Sequence, residues 1–135
     1  MIEINNLTNY VCDKKSFSQV AKIVLKGENR ERDILSLAFI KKEEIKKLNK
    51  KFRGKNKPTD VLSFLLNEKR YLGEIIICPE IVKENAKKYR VSVKKEMLKV
   101  FVHGILHLCG YDHEKSAGEA EKMQKKQEKY LNELF

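Results

Sequence analysis

The sequence predicts an α+β fold in which a small mixed sheet of about four strands packs with about five helices. Short apolar runs alternate along the chain with longer stretches whose apolar residues recur every three or four positions. The chain has 135 residues, of which 41% are hydrophobic and 36% charged, enough to bury a core without disulfides. Linkers, repeats and low-complexity tracts are absent from the sequence, so we expect a single domain over residues 1–135.

The first half of the chain predicts two strands and two helices. Strands are indicated by alternating or short continuous apolar runs, and helices by an apolar stripe at helical spacing. The predicted elements are, in order, a strand over Met1–Leu7, an amphipathic helix over Ser16–Lys26 that ends at Gly27, a strand over Asp33–Ile40, and a basic helix over Glu43–Phe52 that turns Ile45, Leu48 and Phe52 inward.

The second half predicts a hairpin followed by three helices. Two apolar runs, Val61–Leu66 and Leu72–Cys78, are separated by a polar stretch that suits an antiparallel turn. Pro79 fits the first turn of a helix that runs to about Tyr89. The last two helices follow capping residues, which are Ser92 before a helix over Val93–Cys109 and the Ser116 and Glu119 pair before the terminal helix.

The helix predicted over Val93–Cys109 carries the most informative pattern in the chain. Its C-terminal half is apolar on nearly every side, which indicates a central helix enclosed by protein. His103 and His107 lie one turn apart on one face, and Gly110 allows the left-handed conformation through which His113 can return to the same point. These are the three histidines of the chain, and together they predict a metal site on a rigid support.

The chemistry of three imidazoles favours zinc, and we expect one Zn²⁺ ion as the cofactor. Nickel, copper and iron also bind such ligands, so the sequence leaves the metal open. Three protein ligands leave one tetrahedral position for water, as in catalytic zinc sites, whereas structural zinc normally takes four. Cys109 is not expected to be a fourth ligand, because it lies two positions after His107, about 200° round the helix.

The charge of the chain favours a polyanionic partner. The formal net charge is +10. Residues 41–57 hold nine basic and two acidic side chains, and residues 83–99 hold seven basic and two acidic ones. Two such segments can follow a phosphate backbone and release its counterions, although lysine-rich surfaces also serve solubility.

Cysteine usage and hydropathy predict a cytoplasmic protein without a membrane partner. The three cysteines include no CxxC pair, which indicates a reduced setting. The N-terminus lacks the basic and apolar regions of a signal peptide. The longest mostly apolar stretch, Met97–Cys109, has 13 residues and is too short to span a bilayer.

The ligand spacing also matches a metalloprotease pattern, His-Glu-x-x-His-x-x-Gly-x-x-His, at every ligand and at Gly110. Gly104 stands where the protease has its glutamate, so the carboxylate that would deprotonate the attacking water is missing. This difference and the basic surface move the prediction from peptide hydrolysis to nucleic acid.

The segment RGKNKPTD at residues 53–60 joins the basic helix to the next strand. A loop of this composition can place the Arg53 guanidinium beside a phosphate, and we expect Lys55 and Lys57 to bind the substrate with it. Pro58 fixes the turn, while Asp60 is expected to cap or hydrogen-bond its own backbone.

The string HGILHLCGYDH at residues 103–113 resembles the His-Gly-x-Leu-His-Leu-x-Gly-Tyr-Asp-His signature of the bacterial YbeY endoribonucleases, the rRNA maturation factors. Further matching stretches, in the order of that family, are LN at 48–49, FRG at 52–54, PTDVLSF at 58–64 and LGEI at 72–75. Glu74 replaces a common Asp, and Leu65 replaces a proline that often follows Ser-Phe. Both departures concern the hairpin and neither touches a ligand.

The resemblance implies a zinc-dependent, single-strand-specific endoribonuclease that acts on RNA, not DNA, in 16S rRNA 3′-end maturation and ribosome quality control. Its partners would then be rRNA, the ribosome and ribosomal proteins. The resemblance assigns the metal ligands to His103, His107 and His113, and the functionally important arginine to Arg53.

The mechanistic hypothesis assigns catalytic roles to His107 and Arg53. Zinc would lower the pKa of its bound water to about 7, and Arg53 would stabilise charge on the transition-state oxygens. Asp112 and Glu114 flank the last ligand, and each is a candidate general base or, by preference, an acceptor for an imidazole N–H. Two alternatives stay open: a non-catalytic RNA- or ribosome-binding module with a structural metal, and a metal-dependent hydrolase of small or peptide substrates.

Overall fold

Residues 1–134, the part of the chain that this computed structural model describes, form four strands and five helices. Phe135, the last residue of the predicted domain, lies outside the described residues. The elements are β1 (Ile2–Asn6), α1 (Lys14–Gly27), β2 (Ile34–Phe39), α2 (Lys42–Arg53), β3 (Val61–Glu68), β4 (Tyr71–Ile77), α3 (Pro79–Tyr89), α4 (Val93–Leu108) and α5 (Ala117–Leu134). Within residues 1–134, no helix combines the length and the apolar character needed to cross a bilayer.

The strands form one mixed sheet in the order β1-β2-β4-β3. The β1–β2 and β2–β4 pairs are parallel, whereas β3 and β4 form the predicted antiparallel hairpin. Parallel neighbours need crossover connections, and helices supply them here. The predicted α+β class with a four-stranded mixed sheet is confirmed.

The two faces of the sheet are covered unequally. Alternate residues of β2 point to opposite faces. Leu35, Leu37 and Phe39 join the larger core with side chains of α1, α4 and α5. Ala38 joins a smaller cluster that includes Ile45 of α2. Ten residues of α4 are buried, including Phe101 and Ile105 at 0% exposure. This helix is therefore the central buried helix that the sequence predicts.

Side-chain caps set where α1, α4 and α5 begin. Ser92 Oγ accepts a hydrogen bond from the Lys95 N–H at 3.1 Å, and Ser116 Oγ accepts one from the Glu119 N–H at 3.1 Å, as predicted. Helix α1 begins two residues before the predicted Ser16, because the Asp13 carboxylate accepts hydrogen bonds from the backbone N–H and the hydroxyl of Ser16.

The prediction that Phe52 faces inward is wrong. Phe52 is 56% exposed, and its ring packs edge-to-face with Phe64 at a centroid distance of 5.2 Å. The smaller cluster reaches Leu48 and Phe64 at its margin, so the last turn of α2 has no core to enter. Asn49 is buried instead, and its Nδ2 donates a hydrogen bond to the Lys57 carbonyl at 2.8 Å.

Candidate metal centre in a basic cleft

The three histidines converge at the C-terminal end of α4. The ring centroids of His103 and His107 are 4.7 Å apart. The ring centroid of His113 lies 5.1 Å from that of His103 and 4.9 Å from that of His107. Gly110, with φ +101°, reverses the chain so that His113 returns to the helix. One nitrogen from each ring lies within 4.8 Å of the other two, and within residues 1–134 no cysteine or carboxylate joins this group.

The hydrogen bonds of His103 show which nitrogen is free to bind a metal. Its Nδ1 lies 2.9 Å from Gln127 Oε1, and an amide oxygen only accepts, so Nδ1 carries the proton and Nε2 presents a lone pair. This Nε2 lies 3.1 Å from His107 Nε2. Two nitrogens bound to one tetrahedral ion at about 2.0–2.1 Å are about 3.3 Å apart, so the donor set fits an ion held by His103, His107 and His113.

The surroundings of the ring nitrogens keep them neutral. Burial, followed by the neighbouring imidazoles and the Arg53 guanidinium, lowers the pKa of His107 to about 4. Burial also lowers the pKa of His103, against the opposing effect of its hydrogen bond to Gln127. Metal binding requires the neutral imidazole, so both side chains stand ready at neutral pH without losing a proton first.

Gln127 is a site residue that sequence reasoning missed. It lies on α5, where Met123, Gln127 and Tyr130 are the buried positions. An amide in an otherwise apolar stripe at helical spacing is the signal that marks it, because a buried polar side chain needs a partner. Its partner is a candidate metal ligand, and such outer contacts fix the orientation of the ring.

Packing explains why a glycine replaces the protease glutamate. A Cβ at Gly104 would lie 3.0 Å from a methyl of Ile75 and 3.2 Å from Ser63 Oγ. The Ser63 hydroxyl donates a hydrogen bond to the Gly104 carbonyl at 3.2 Å, which holds α4 directly against the sheet. A glutamate at this position would have to displace the Ile75 and Ser63 side chains or α4 itself, so the metal ligands and the missing carboxylate are parts of one packing arrangement.

Asp112 and Glu114 flank His113. Among the contacts within residues 1–134, neither carboxylate accepts a hydrogen bond from an imidazole. Asp112 Oδ1 accepts a hydrogen bond from the Glu114 backbone N–H at 3.0 Å. Glu114 Oε1 lies 3.9 Å from His113 Nε2, which is beyond hydrogen-bond distance. The hydrogen bond to an imidazole N–H that is expected of these carboxylates is accepted by Gln127, from His103.

A cleft of about 620 Å³ is lined by the three histidines and also by Arg53, Lys55 and Lys57. Arg53 ends α2, and Gly54, with φ +70°, turns the chain into the loop. The Lys57 carbonyl is held by Asn49, which ties the loop to α2. Asp60 also lines the cleft, and its carboxylate accepts a hydrogen bond from the Thr59 hydroxyl at 3.3 Å, not from its own backbone as predicted.

The other side of α4 is structural. Cys109 packs against the larger core, away from the histidine group, and burial followed by the nearby Glu28 carboxylate raises the pKa of its thiol to about 11. Burial and a hydrogen bond to Glu28 raise the pKa of Tyr111 to about 12. These groups stay protonated at neutral pH and offer no competing ligand.

The fold and the site define a class: α+β proteins in which one buried helix and its return loop bring three histidines to a cleft with a basic wall. Comparison with known proteins identifies the family. A family model described as Endoribonuclease YbeY matches residues 3–135. The chain belongs to the YbeY endoribonuclease family, and this membership supports RNA endonuclease function.

Individual relatives agree. The Endoribonuclease YbeY of Thermotoga petrophila is 48% identical over 101 residues, which are 75% of this chain and 67% of that protein. The Endoribonuclease YbeY of Thermosipho melanesiensis is 39% identical over 128 residues, which are 95% of this chain and 92% of that protein. The solution structure of TM1509 from Thermotoga maritima matches with a TM-score of 0.72 at 39% identity, covering 98% of this chain and 88% of that one.

Proposed function

We propose that the protein is a zinc-dependent, single-strand-specific endoribonuclease that acts in 16S rRNA 3′-end maturation and ribosome quality control in the cytoplasm. Its partners are then rRNA, the ribosome and ribosomal proteins. One observation carries the catalytic part of the proposal: three ligand nitrogens within 4.8 Å of one another share a cleft with Arg53, Lys55 and Lys57. A divalent ion and a polyanion are the two species that such a cleft attracts.

The roles of the residues follow from their places in the cleft. His103, His107 and His113 would hold the ion, with Gln127 fixing the proton of His103 on Nδ1. When bound, zinc supplies Lewis acidity and makes water a stronger nucleophile at neutral pH. Arg53 would donate hydrogen bonds to phosphate oxygens as negative charge develops, and Lys55 and Lys57 would hold the adjoining backbone.

Single-strand specificity is consistent with the shape of the cleft. A volume of about 620 Å³ is on the scale of one or two nucleotides, so we expect the cleft to take an unpaired strand in preference to a duplex. Backbone contacts alone do not distinguish strands, so a narrow cleft must make the distinction by requiring an unpaired, splayed nucleotide.

The direct test is RNA cleavage by the purified chain. A labelled single-stranded RNA and its duplex are incubated with the protein as purified, after chelation, and after zinc is added back. We expect cleavage of the single strand alone, loss on chelation and recovery with zinc. Unchanged cleavage after complete metal removal would contradict the metal-dependent mechanism.

Two further measurements distinguish other functions for the same site. X-ray absorption of the zinc-loaded chain reports the number of protein ligands, and we expect three histidines with an oxygen from solvent. A fourth protein ligand together with RNA binding but no cleavage would indicate a structural metal in a binding module. Hydrolysis of peptides without cleavage of RNA would indicate a hydrolase of other substrates.

A further inference from the structure

The cleft continues along α4 beyond the histidines. The residues of α4 that line it share one face of the helix, and they are Glu96, Lys99, Val100, His103 and His107. Glu96 precedes His103 by seven residues, and a helical rise of about 1.5 Å per residue separates their backbones by about 10 Å. This is the distance from a phosphate to the base of a neighbouring nucleotide, so the far end of the cleft lies within reach of RNA held at the histidines.

Glu96 is a buried carboxylate that the proposed chemistry does not use. It is 2% exposed, although it lines the cleft, and Lys99 Nζ lies 3.2 Å from its Oε1. A buried carboxylate is costly without a partner, and Lys99 supplies one from the cleft side. The carboxylate is therefore a fixed hydrogen-bond acceptor at the floor of the cleft, held in place by packing around α4.

Helix α3 also lines the cleft. Its residues Asn85 and Tyr89 lie one turn apart, and Tyr89 is 53% exposed. Lys99 Nζ lies 5.2 Å from the centre of that ring. An exposed aromatic ring, an amide and an acceptor that face one narrow space are the groups with which proteins stack and read an unpaired base.

We propose that Tyr89, Asn85 and Glu96 form a base-binding subsite that prefers guanine in the nucleotide next to the cleaved bond. The inference rests on the proposed endoribonuclease function, because it takes single-stranded RNA as the occupant of the cleft. Tyr89 stacks on the base, Glu96 accepts hydrogen bonds from its Watson–Crick edge, and the Asn85 amide has a donor for the neighbouring oxygen.

Guanine fits this acceptor better than the other bases do. Its Watson–Crick edge places two donors, N1–H and the N2 amino group, side by side, and a carboxylate can accept from both. Adenine and cytosine each offer one donor group beside an acceptor, and uracil offers one donor between two acceptors. A carboxylate repels those acceptors, so the preference depends on the charge and on the two oxygens of Glu96.

Binding of short RNAs separates this inference from catalysis. Fluorescence anisotropy is measured with labelled pentanucleotides that carry a single central guanine, adenine or inosine between uridines, in excess chelator so that no RNA is cut. The full chain should bind the guanine oligonucleotide about 10-fold more tightly than the other two, since inosine lacks only the N2 amino group. Equal affinities for the three oligonucleotides would overturn the proposal.

Two carboxylate variants assign the preference to Glu96. Glu96→Gln keeps the size of the side chain and should make the three affinities equal. Glu84→Gln is the matched control, because Glu84 also pairs with a lysine, Lys42 at 3.0 Å, but does not line the cleft. It should keep the full preference. A guanine preference that survives in folded Glu96→Gln would overturn the role of Glu96.

Two tyrosine variants keep the test decisive if the buried substitution prevents folding, which circular dichroism reports. Tyr89→Ala should weaken binding of all three oligonucleotides about 10-fold, because stacking does not depend on the base, whereas Tyr89→Phe should bind as the parent does. Unchanged binding in Tyr89→Ala would overturn the stacking role. Cleavage by the zinc-loaded chain is measured separately. Guanine-selective binding without cleavage would contradict only the proposed function. Cleavage without a base preference would contradict only the subsite.

Discussion

The two walls of the cleft are built in opposite ways. The α4 wall carries His103 and His107 on a helix whose neighbouring residues Phe101 and Ile105 are fully buried. The loop wall is the exposed segment 53–57, which is tied to α2 by backbone hydrogen bonds from Gly54 and Lys55 and by the bond between Asn49 and the Lys57 carbonyl. One wall is part of the core, and the other is a surface loop.

This difference matches what each wall has to bind. Metal ligands must keep their geometry to a fraction of an ångström, and buried helices hold geometry better than loops do. Phosphate contacts tolerate movement, since a guanidinium or ammonium can follow an oxygen over a short distance. Substitutions of the histidines in the α4 wall should therefore alter metal binding, whereas substitutions in the loop wall should alter RNA binding and catalysis without altering metal binding.

The largest expected effect is that of His107→Ala in the α4 wall. We expect stoichiometric zinc binding and RNA cleavage both to fall to background, because two imidazoles cannot replace three. Elemental analysis of dialysed protein and a cleavage assay check this. Cleavage that persists in a metal-free preparation of this variant would show that the α4 wall does not act through a bound metal.

Arg53→Glu tests the loop wall. We expect kcat to fall about 10²- to 10³-fold while zinc content and melting temperature stay the same, because the guanidinium acts on the phosphate and not on the fold. Lys46→Glu is the matched control: it makes the same kind of charge reversal on α2, at an exposed residue that does not line the cleft. Equal losses in both variants would show that net charge, and not position, matters.

Gly104→Glu sharpens the comparison by restoring the glutamate of the protease pattern. We expect the free energy of unfolding to fall by about 3 kcal/mol or more, with no gain of peptidase activity, because the side chain has no room between α4 and Ile75. Gly118→Glu, at an exposed position of α5, should instead raise stability by about 0.5–1 kcal/mol. Denaturant unfolding of the two variants measures the difference.

The smallest expected effect concerns the support of His103. Gln127→Ala should weaken zinc binding about 10- to 100-fold, because the ring loses the acceptor that orients it. Gln127→Glu keeps an acceptor at the same place and should recover most of the affinity. Competition with a chromogenic chelator gives both constants, and equal affinity in the alanine variant and the parent would show that the contact is dispensable.

Much of the site is visible in the sequence because it is local. His103, His107 and His113 are close along the chain, so helix geometry and one glycine are enough to predict their convergence. The hairpin and the mixed sheet are predictable for the same reason, since hydrophobic period and turn composition act over short distances.

Contacts between distant segments are harder to predict. Gln127 approaches His103 only because α5 packs across α4, and no local pattern sets that crossing. The inward assignment of Phe52 failed because helical period gives the direction of a side chain but not where the core ends. Gly104 had been interpreted through its missing carboxylate, whereas its contact with Ser63 and Ile75 depends on the distance between helix and sheet.

The placement of His113 also bears on how long the protein survives. His103 and His107 belong to α4, whereas His113 lies in the connection that leads to α5, and Gln127 of α5 holds His103. An ion bound by these rings would hold the connection against α4. It would thereby protect the connection from proteases, which cut where the backbone opens. The supply of zinc would then govern the lifetime of each copy as well as its activity.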